Sequence, residues 1–128
     1  MRSFLKRKLL AALVLSTISL AISGCEGASP PAGVLSSPAA QAAGATLFAA
    51  RCAICHGTHG DGQGVRHAFM DPPPANLTLP PWSEMANAAQ THDVIRNGVR
   101  GTAMASWASL GDHQIWQLVA YIISLKSH

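Results

Sequence analysis

Apolar positions along this 128-residue chain fall into separate blocks, divided by stretches rich in glycine, proline and small polar residues. Residues 9–22 form a near-continuous apolar run, shorter than the roughly 20 residues a helix needs to cross a bilayer. Residues 26–44 are almost entirely Pro, Ala, Ser, Gly and Gln, with Val34 and Leu35 as the only sizeable apolar side chains, and such a segment cannot build a core. From about Ala45 the pattern turns helical, with Phe48, Cys52 and Cys55 at i, i+4 and i+7 on one face. Gly57 and the loop His59-Gly60-Asp61-Gly62-Gln63-Gly64 end that helix, and Pro72-Pro73-Pro74-Ala75-Asn76-Leu77 holds the next stretch extended. A short helix opened by Ser83 is expected over residues 83–90, and a second runs from Thr91 as N-cap to Gly98 as the residue that stops it. The last block, residues 112–126, places Ile115, Leu118, Val119 and Ile122 at i, i+3, i+4 and i+7, widened by Trp116 and Ile123. Too short for a bilayer, this helix is expected to pack across the Phe48 helix as half of a small core.

Charge changes how the first block is read. Arg2, Lys6, Arg7 and Lys8 precede the apolar run, which makes residues 1–24 an export signal. Ile22-Ser23-Gly24-Cys25 then resembles a bacterial lipobox, in which Cys25 becomes the lipid-modified first residue of the mature protein. The alternative is plain cleavage that leaves Cys25 as a free thiol. The whole chain carries a formal charge of +3, but four of its nine basic residues lie in the signal. Arg51, Arg66, Arg96, Arg100 and Lys126 remain against six acidic residues, and no basic patch is left to bind a nucleic acid. Residues 25–44 read as a lipidated flexible tether with a typical reach of roughly 20 to 25 Å. Residues 45–128 read as one domain.

The chemistry concentrates in Cys52-Ala53-Ile54-Cys55-His56. Two thiols three residues apart can each add to one vinyl group of a haem while the adjoining imidazole reaches the iron, which is the C-x-x-C-H spacing of covalent haem attachment. A redox dithiol would need a βαβ context, and no alternating strand run flanks the motif. Zinc would need a second pair of ligands, and the only other cysteine is Cys25. The glycine-rich loop lacks both the preceding strand and the following Lys-Ser/Thr of a phosphate cradle. A carbonyl of the rigid proline stretch suits the task of accepting the free ring N–H of a metal-bound imidazole, though the stretch also reads as a plain spacer. Met104, in the loop Gly101-Thr102-Ala103-Met104-Ala105-Ser106-Trp107, is the candidate second iron ligand; Met70, Met85, His92 and an open site are its competitors. His59, His67, His113 and His128 read as surface residues, and His92, placed at a helix start, is expected to be solvated.

Taken in order, Gly44-x-x-x-Phe48-x-x-x-Cys52, Cys52-x-x-Cys55-His56, Pro74-Ala75-Asn76-Leu77, Gly101-Thr102-x-Met104 and an apolar last helix containing Tyr121 resemble the class I c-type cytochromes, over nearly everything from Gly44 onward. The resemblance implies an all-α fold in which the first and last helices cross beside one haem c, held through Cys52 and Cys55. It implies His56 and Met104 as iron ligands, Thr102 and Trp82 as hydrogen-bond donors to a haem propionate, and Gly44, Phe48, Leu118 and Tyr121 at the helix crossing. One of Pro72, Pro73 and Pro74 would orient His56. The protein is then expected to be an electron carrier rather than an enzyme. It would take single electrons from a quinol-linked donor to a terminal oxidase or reductase, anchored in the bacterial envelope with the haem domain on the periplasmic or outer side. A dedicated haem subunit of a membrane dehydrogenase, oxidase or quinol-oxidising complex is the alternative.

Overall fold

The structure, a computed structural model, describes residues 28–79 and 87–125. Residues 1–24, expected to be an export signal, lie outside the described residues, as do Cys25, Trp82, Met85, His128 and the expected opening of a helix at Ser83.

Among the described residues four helices carry the fold: α1 (Pro38–Arg51), the single turn α2 (Ala53–His56), α3 (Ala88–Asn97) and α4 (Gly111–Ser124). Among the described residues there is no β-strand, so the all-helical expectation holds. Two 3-10 turns, His67–Phe69 and Ala108–Leu110, punctuate the connections.

Helix α1 begins earlier than the apolar pattern suggests, at Pro38 rather than about Ala45. Ser37 is the reason: its hydroxyl accepts the Ala40 N–H at 3.2 Å, and Pro38 fills the first turn, where a missing N–H costs nothing. The alanine run then extends the helix, since alanine has the strongest helix propensity. Ahead of it, Ala28, Val34 and Leu35 pack against the core, and Gln41 Nε2 donates to the Leu35 carbonyl at 2.9 Å. The segment expected to be a flexible tether is therefore, from residue 28 onward, part of the folded domain. Weighing only large apolar side chains undervalued a stretch whose buried positions are small.

Small residues are what the α1–α4 contact requires. Gly44 lies against α4 so closely that a Cβ built on it would stand 2.0 Å from the Gln117 carbonyl oxygen. One turn on, the Phe48 and Tyr121 rings meet at 5.2 Å with an interplanar angle of 58°, a tilted aromatic pair. Phe48, Leu77, Ile95, Ile115, Trp116, Leu118, Val119 and Ile122 form the buried cluster around this crossing. Helix α4 supplies five of these eight, as its wide apolar stripe predicts.

Helix α3 corrects a second expectation. Its cap is Asn87, whose side chain accepts the Gln90 N–H at 2.8 Å, and Thr91 lies inside the helix, buried, with its hydroxyl donating back to the Asn87 carbonyl. Gly98 stops the helix as expected, at φ +71°. With the start at Ala88, His92 falls on the inner face and is 1% exposed. Its ring stacks on Trp116 at 4.4 Å, tying α3 to α4.

Candidate functional site

The attachment motif sits at a break between two helices. Cys52 still donates its N–H to the Phe48 carbonyl of α1, and its own carbonyl starts α2 by accepting the N–H groups of Cys55 and His56. A single turn leaves its last carbonyls without partners in the helix. The following loop turns back to satisfy them: Arg66, Gly64 and Gly62 donate to the carbonyls of Ile54, Cys55 and His56 at 3.0, 3.1 and 2.8 Å. Such an approach demands glycine at position 64, where a Cβ would lie about 2.5 Å from the main chain of Ile54 and Cys55. The glycine-rich loop is thus the support of the cysteine turn.

The proline stretch completes it from the other side. Leu77 is buried in the core and donates its N–H to the Gly60 carbonyl at 2.7 Å, while the Asn76 side chain accepts from the N–H and hydroxyl of Thr78. His56 Nδ1 donates to the carbonyl of Ala75 at 3.1 Å, so the orienting group lies one residue beyond the three prolines considered from sequence. Successive carbonyls of extended backbone point to opposite sides, and that of Pro74 faces Gly62 instead.

Two titrations bear on what this cluster can do. Burial, and next the neighbouring Cys55, push the Cys52 thiol up to about 11. A redox-active Cys52 would need to be thiolate near neutral pH, so its environment works against a redox dithiol. Burial favours the neutral His56 imidazole and lowers its pKa below the ordinary value, outweighing the Ala75 bond, which acts in the opposite direction. With Nδ1–H committed to Ala75, the lone pair of a neutral His56 is at Nε2, the arrangement of a metal-binding imidazole. Among the described residues no group of three or more His, Cys, Asp and Glu is placed to hold a free metal ion.

A second cluster lies in the loop after α3. Met104 is half-buried; its N–H donates to the Thr102 hydroxyl at 3.1 Å and its carbonyl accepts from Val99 N–H at 3.0 Å. The Thr102 hydroxyl in turn donates to the Val99 carbonyl at 2.9 Å. The structure thus joins Cys52, Cys55 and His56 in one turn and Thr102 with Met104 in one loop. Among the described residues no hydrogen bond links the two groups.

The family described as cytochrome c oxidase, cbb3-type, subunit III matches residues 39–122, which span both clusters and both crossing helices. The chain belongs to this family. It is a c-type cytochrome, an electron-transfer module of the kind that binds haem c covalently. A similar structure is a chain of the Kuenenia stuttgartiensis reducing HAO-like protein complex, at 24% identity and a TM-score of 0.63. The match covers 77% of this chain and 46% of that one, so this cytochrome spans about half the length of its structural relative. The residues present suit a haem c: paired, half-buried thiols in one turn beside an oriented neutral imidazole.

Of the remaining methionines and histidines among the described residues, Met70 and His92 are the competing ligands and the others are expected at the surface. Met70 is half-buried after the His67–Phe69 turn. His59 and His113 are exposed, whereas His67 is half-buried, with Nδ1 donating to the Gly64 carbonyl at 2.8 Å. His92, expected to be solvated, is enclosed between α3 and α4, where Nδ1 and Nε2 stand 3.5 and 3.4 Å from carboxylate oxygens of Asp93 and Asp112 without a hydrogen bond. Arg96 pairs with the same Asp112. Replacing a buried polar ring by an apolar one of similar shape can be nearly neutral. His92→Phe is expected to keep stability within about 1 kcal/mol by preserving the stack on Trp116, whereas His92→Ala costs about 2 to 3 kcal/mol. Denaturant melts of the haem-loaded variants check this; equal losses in both would assign the effect to the carboxylate contacts.

Sequence reasoning missed the inner position of His92, though a signal was present. Ala88, Thr91, His92 and Ile95 stand at i, i+3, i+4 and i+7, a stripe visible once the helix starts at Ala88.

Proposed function

We propose that this protein is a lipid-anchored cytochrome with one haem, attached through Cys52 and Cys55 and ligated by His56 and Met104, that relays single electrons between respiratory partners. The observation that carries the reading is the orientation of His56: Ala75 holds its Nδ1–H, which leaves Nε2 for iron beside two thiols in the attachment spacing. The haem supplies a one-electron couple. The chain's own residues do the rest. Cys52 and Cys55 fix the group to the end of α1, Ala75 sets the imidazole plane, and the loop around Thr102 holds the methionine main chain. A methionine ligand favours the reduced state and raises the potential relative to two imidazoles. Two protein ligands leave no open position for a substrate, so the available chemistry is outer-sphere electron transfer through brief encounters of small area.

Protein matured with haem-attachment machinery should retain its Soret absorption after denaturation and acid-acetone washing. Met104→Ala is expected to lose the weak red-edge charge-transfer band of ferric thioether-ligated haem, and Met70→Ala to keep it. A surviving band in Met104→Ala would remove Met104 from the iron. Mass spectrometry of the mature N-terminus tests the anchor, and an unmodified Cys25 would refute it. In this reading the domain works at the outer or periplasmic face of a bacterial membrane, exchanging electrons with a quinol-linked donor and a terminal oxidase or reductase.

A second reading, a resident haem subunit of a membrane complex, is favoured by the family description, which names an oxidase subunit. Mild detergent extraction separates the two. A stoichiometric complex supports the resident subunit, and a free lipoprotein supports the shuttle.

A further inference from the structure

The loop from Val99 to Met104 is closed at both ends by the same few groups. Val99 donates its N–H to the Met104 carbonyl at 3.0 Å, and the Val99 carbonyl accepts both the Thr102 N–H at 3.2 Å and the Thr102 hydroxyl at 2.9 Å. That hydroxyl oxygen accepts the Met104 N–H at 3.1 Å. One side chain therefore connects the start of the loop to the methionine main chain. The loop is in turn tied to α3, because Gly98 and Trp107 donate their N–H groups to the carbonyls of Val94 and Ile95, and the Ser106 hydroxyl donates to that of Arg96.

A hydroxyl has one proton to donate. At Thr102 it goes to the Val99 carbonyl, and donating it to a haem propionate would require breaking that bond. Removing the hydroxyl would leave the Met104 N–H and one lone pair of the Val99 carbonyl to find water. The backbone at Met104 would then lose the only side-chain hydrogen bond it makes among the described residues.

We infer that Thr102 is a positioning residue for Met104, acting through the methionine's main chain and not through a propionate. This rests on the reading of Met104 as the iron ligand, and the test separates the two. In the ferric, haem-loaded protein, an incoming imidazole can occupy the methionine's place only when the loop releases it. Thr102→Val removes the hydroxyl at nearly constant volume, and Thr102→Ser keeps it.

The rate of imidazole binding is expected to rise roughly tenfold in Thr102→Val, the scale of one to two lost neutral hydrogen bonds, and to return to the wild-type value in Thr102→Ser. The charge-transfer band should weaken in the valine variant and recover in the serine variant. Met104→Ala serves as the reference, with no band and unrestricted imidazole binding; a band that persists there refutes the ligand assignment itself. If Met104→Ala loses the band while Thr102→Val binds imidazole at the wild-type rate, Thr102 does not position Met104. A shift of midpoint potential with an unchanged binding rate would likewise overturn the inference and restore the propionate role. So would an accelerated rate that serine fails to correct. Should Thr102→Val not mature, hydrogen exchange in the wild-type protein decides: a protected Met104 amide supports the hydroxyl bond, and exchange at the rate of an open loop refutes it.

Discussion

Gly44→Ala is expected to lower the stability of the haem-loaded protein by about 3 kcal/mol, although alanine is the better helix former by about 1 kcal/mol at an ordinary helical position. The added methyl would stand 2.0 Å from the Gln117 carbonyl oxygen and 2.9 Å from Tyr121 Cβ. Neither neighbour is the movable end of a long side chain, so α1 and α4 must separate. Separation loosens the Phe48–Tyr121 pair and the cluster around it, because close-packed interiors accommodate extra volume poorly. For a domain of this size such a loss corresponds to a fall of roughly 10 to 20 °C in Tm. Ala42→Gly, on the exposed side of the same helix, provides the comparison and should cost only about 1 kcal/mol. A Gly44→Ala protein with a raised Tm would show that the crossing is looser than the structure places it.

Cys52→Ala/Cys55→Ala, produced without haem, is expected to lose cooperative folding altogether. The described core is eight buried side chains around one helix crossing, in a chain whose size class leaves little stability to spare. Cys52 and Ala53 pack directly against that cluster, so the attachment turn is continuous with the core and not an appendage to it. A covalently held haem adds the largest single apolar body the domain can bury, and without it the entropy of ordering α2, the glycine loop and the proline stretch has too little to offset it. Circular dichroism should show reduced helicity and a broad thermal change without a transition. A sharp, reversible melt of the haem-free variant would mean that the polypeptide carries its own fold.

How legible each part was from sequence depended on whether its signal was local. The C-x-x-C-H turn, the α4 stripe and the Gly98 stop each announce themselves within a few positions, the crossing residues Gly44, Phe48, Leu118 and Tyr121 followed from the family resemblance, and the fold they imply is the one observed. The early start of α1 was hidden because its inward residues Ala40 and Gly44 are small, and small residues look like linker composition until a partner helix is placed against them. His92 was misplaced through a shift in the helix start, from Ala88 to Thr91. The His56 partner depended on which carbonyls of an extended segment face which way, and residue types alone leave that parity open: Pro74 serves the Gly62 side and Ala75 the imidazole. Thr102 illustrates the same limit. Its motif neighbours point to iron chemistry, but only geometry shows its single proton engaged within its own loop.

The early packing of Ala28, Val34 and Leu35 alters what a membrane anchor would mean here. With a lipid on Cys25, as proposed, Glu26 and Gly27 alone would separate the anchored residue from Ala28, a span of about 10 Å at full extension. The polar layer of a bilayer leaflet is itself roughly 5 to 8 Å deep. Such a cytochrome would not swing on a long cord through the space above the lipid. It would skim the headgroups with its N-terminal end down, meeting partners by lateral diffusion in the plane and offering them only the flanks and crown that this posture leaves uncovered.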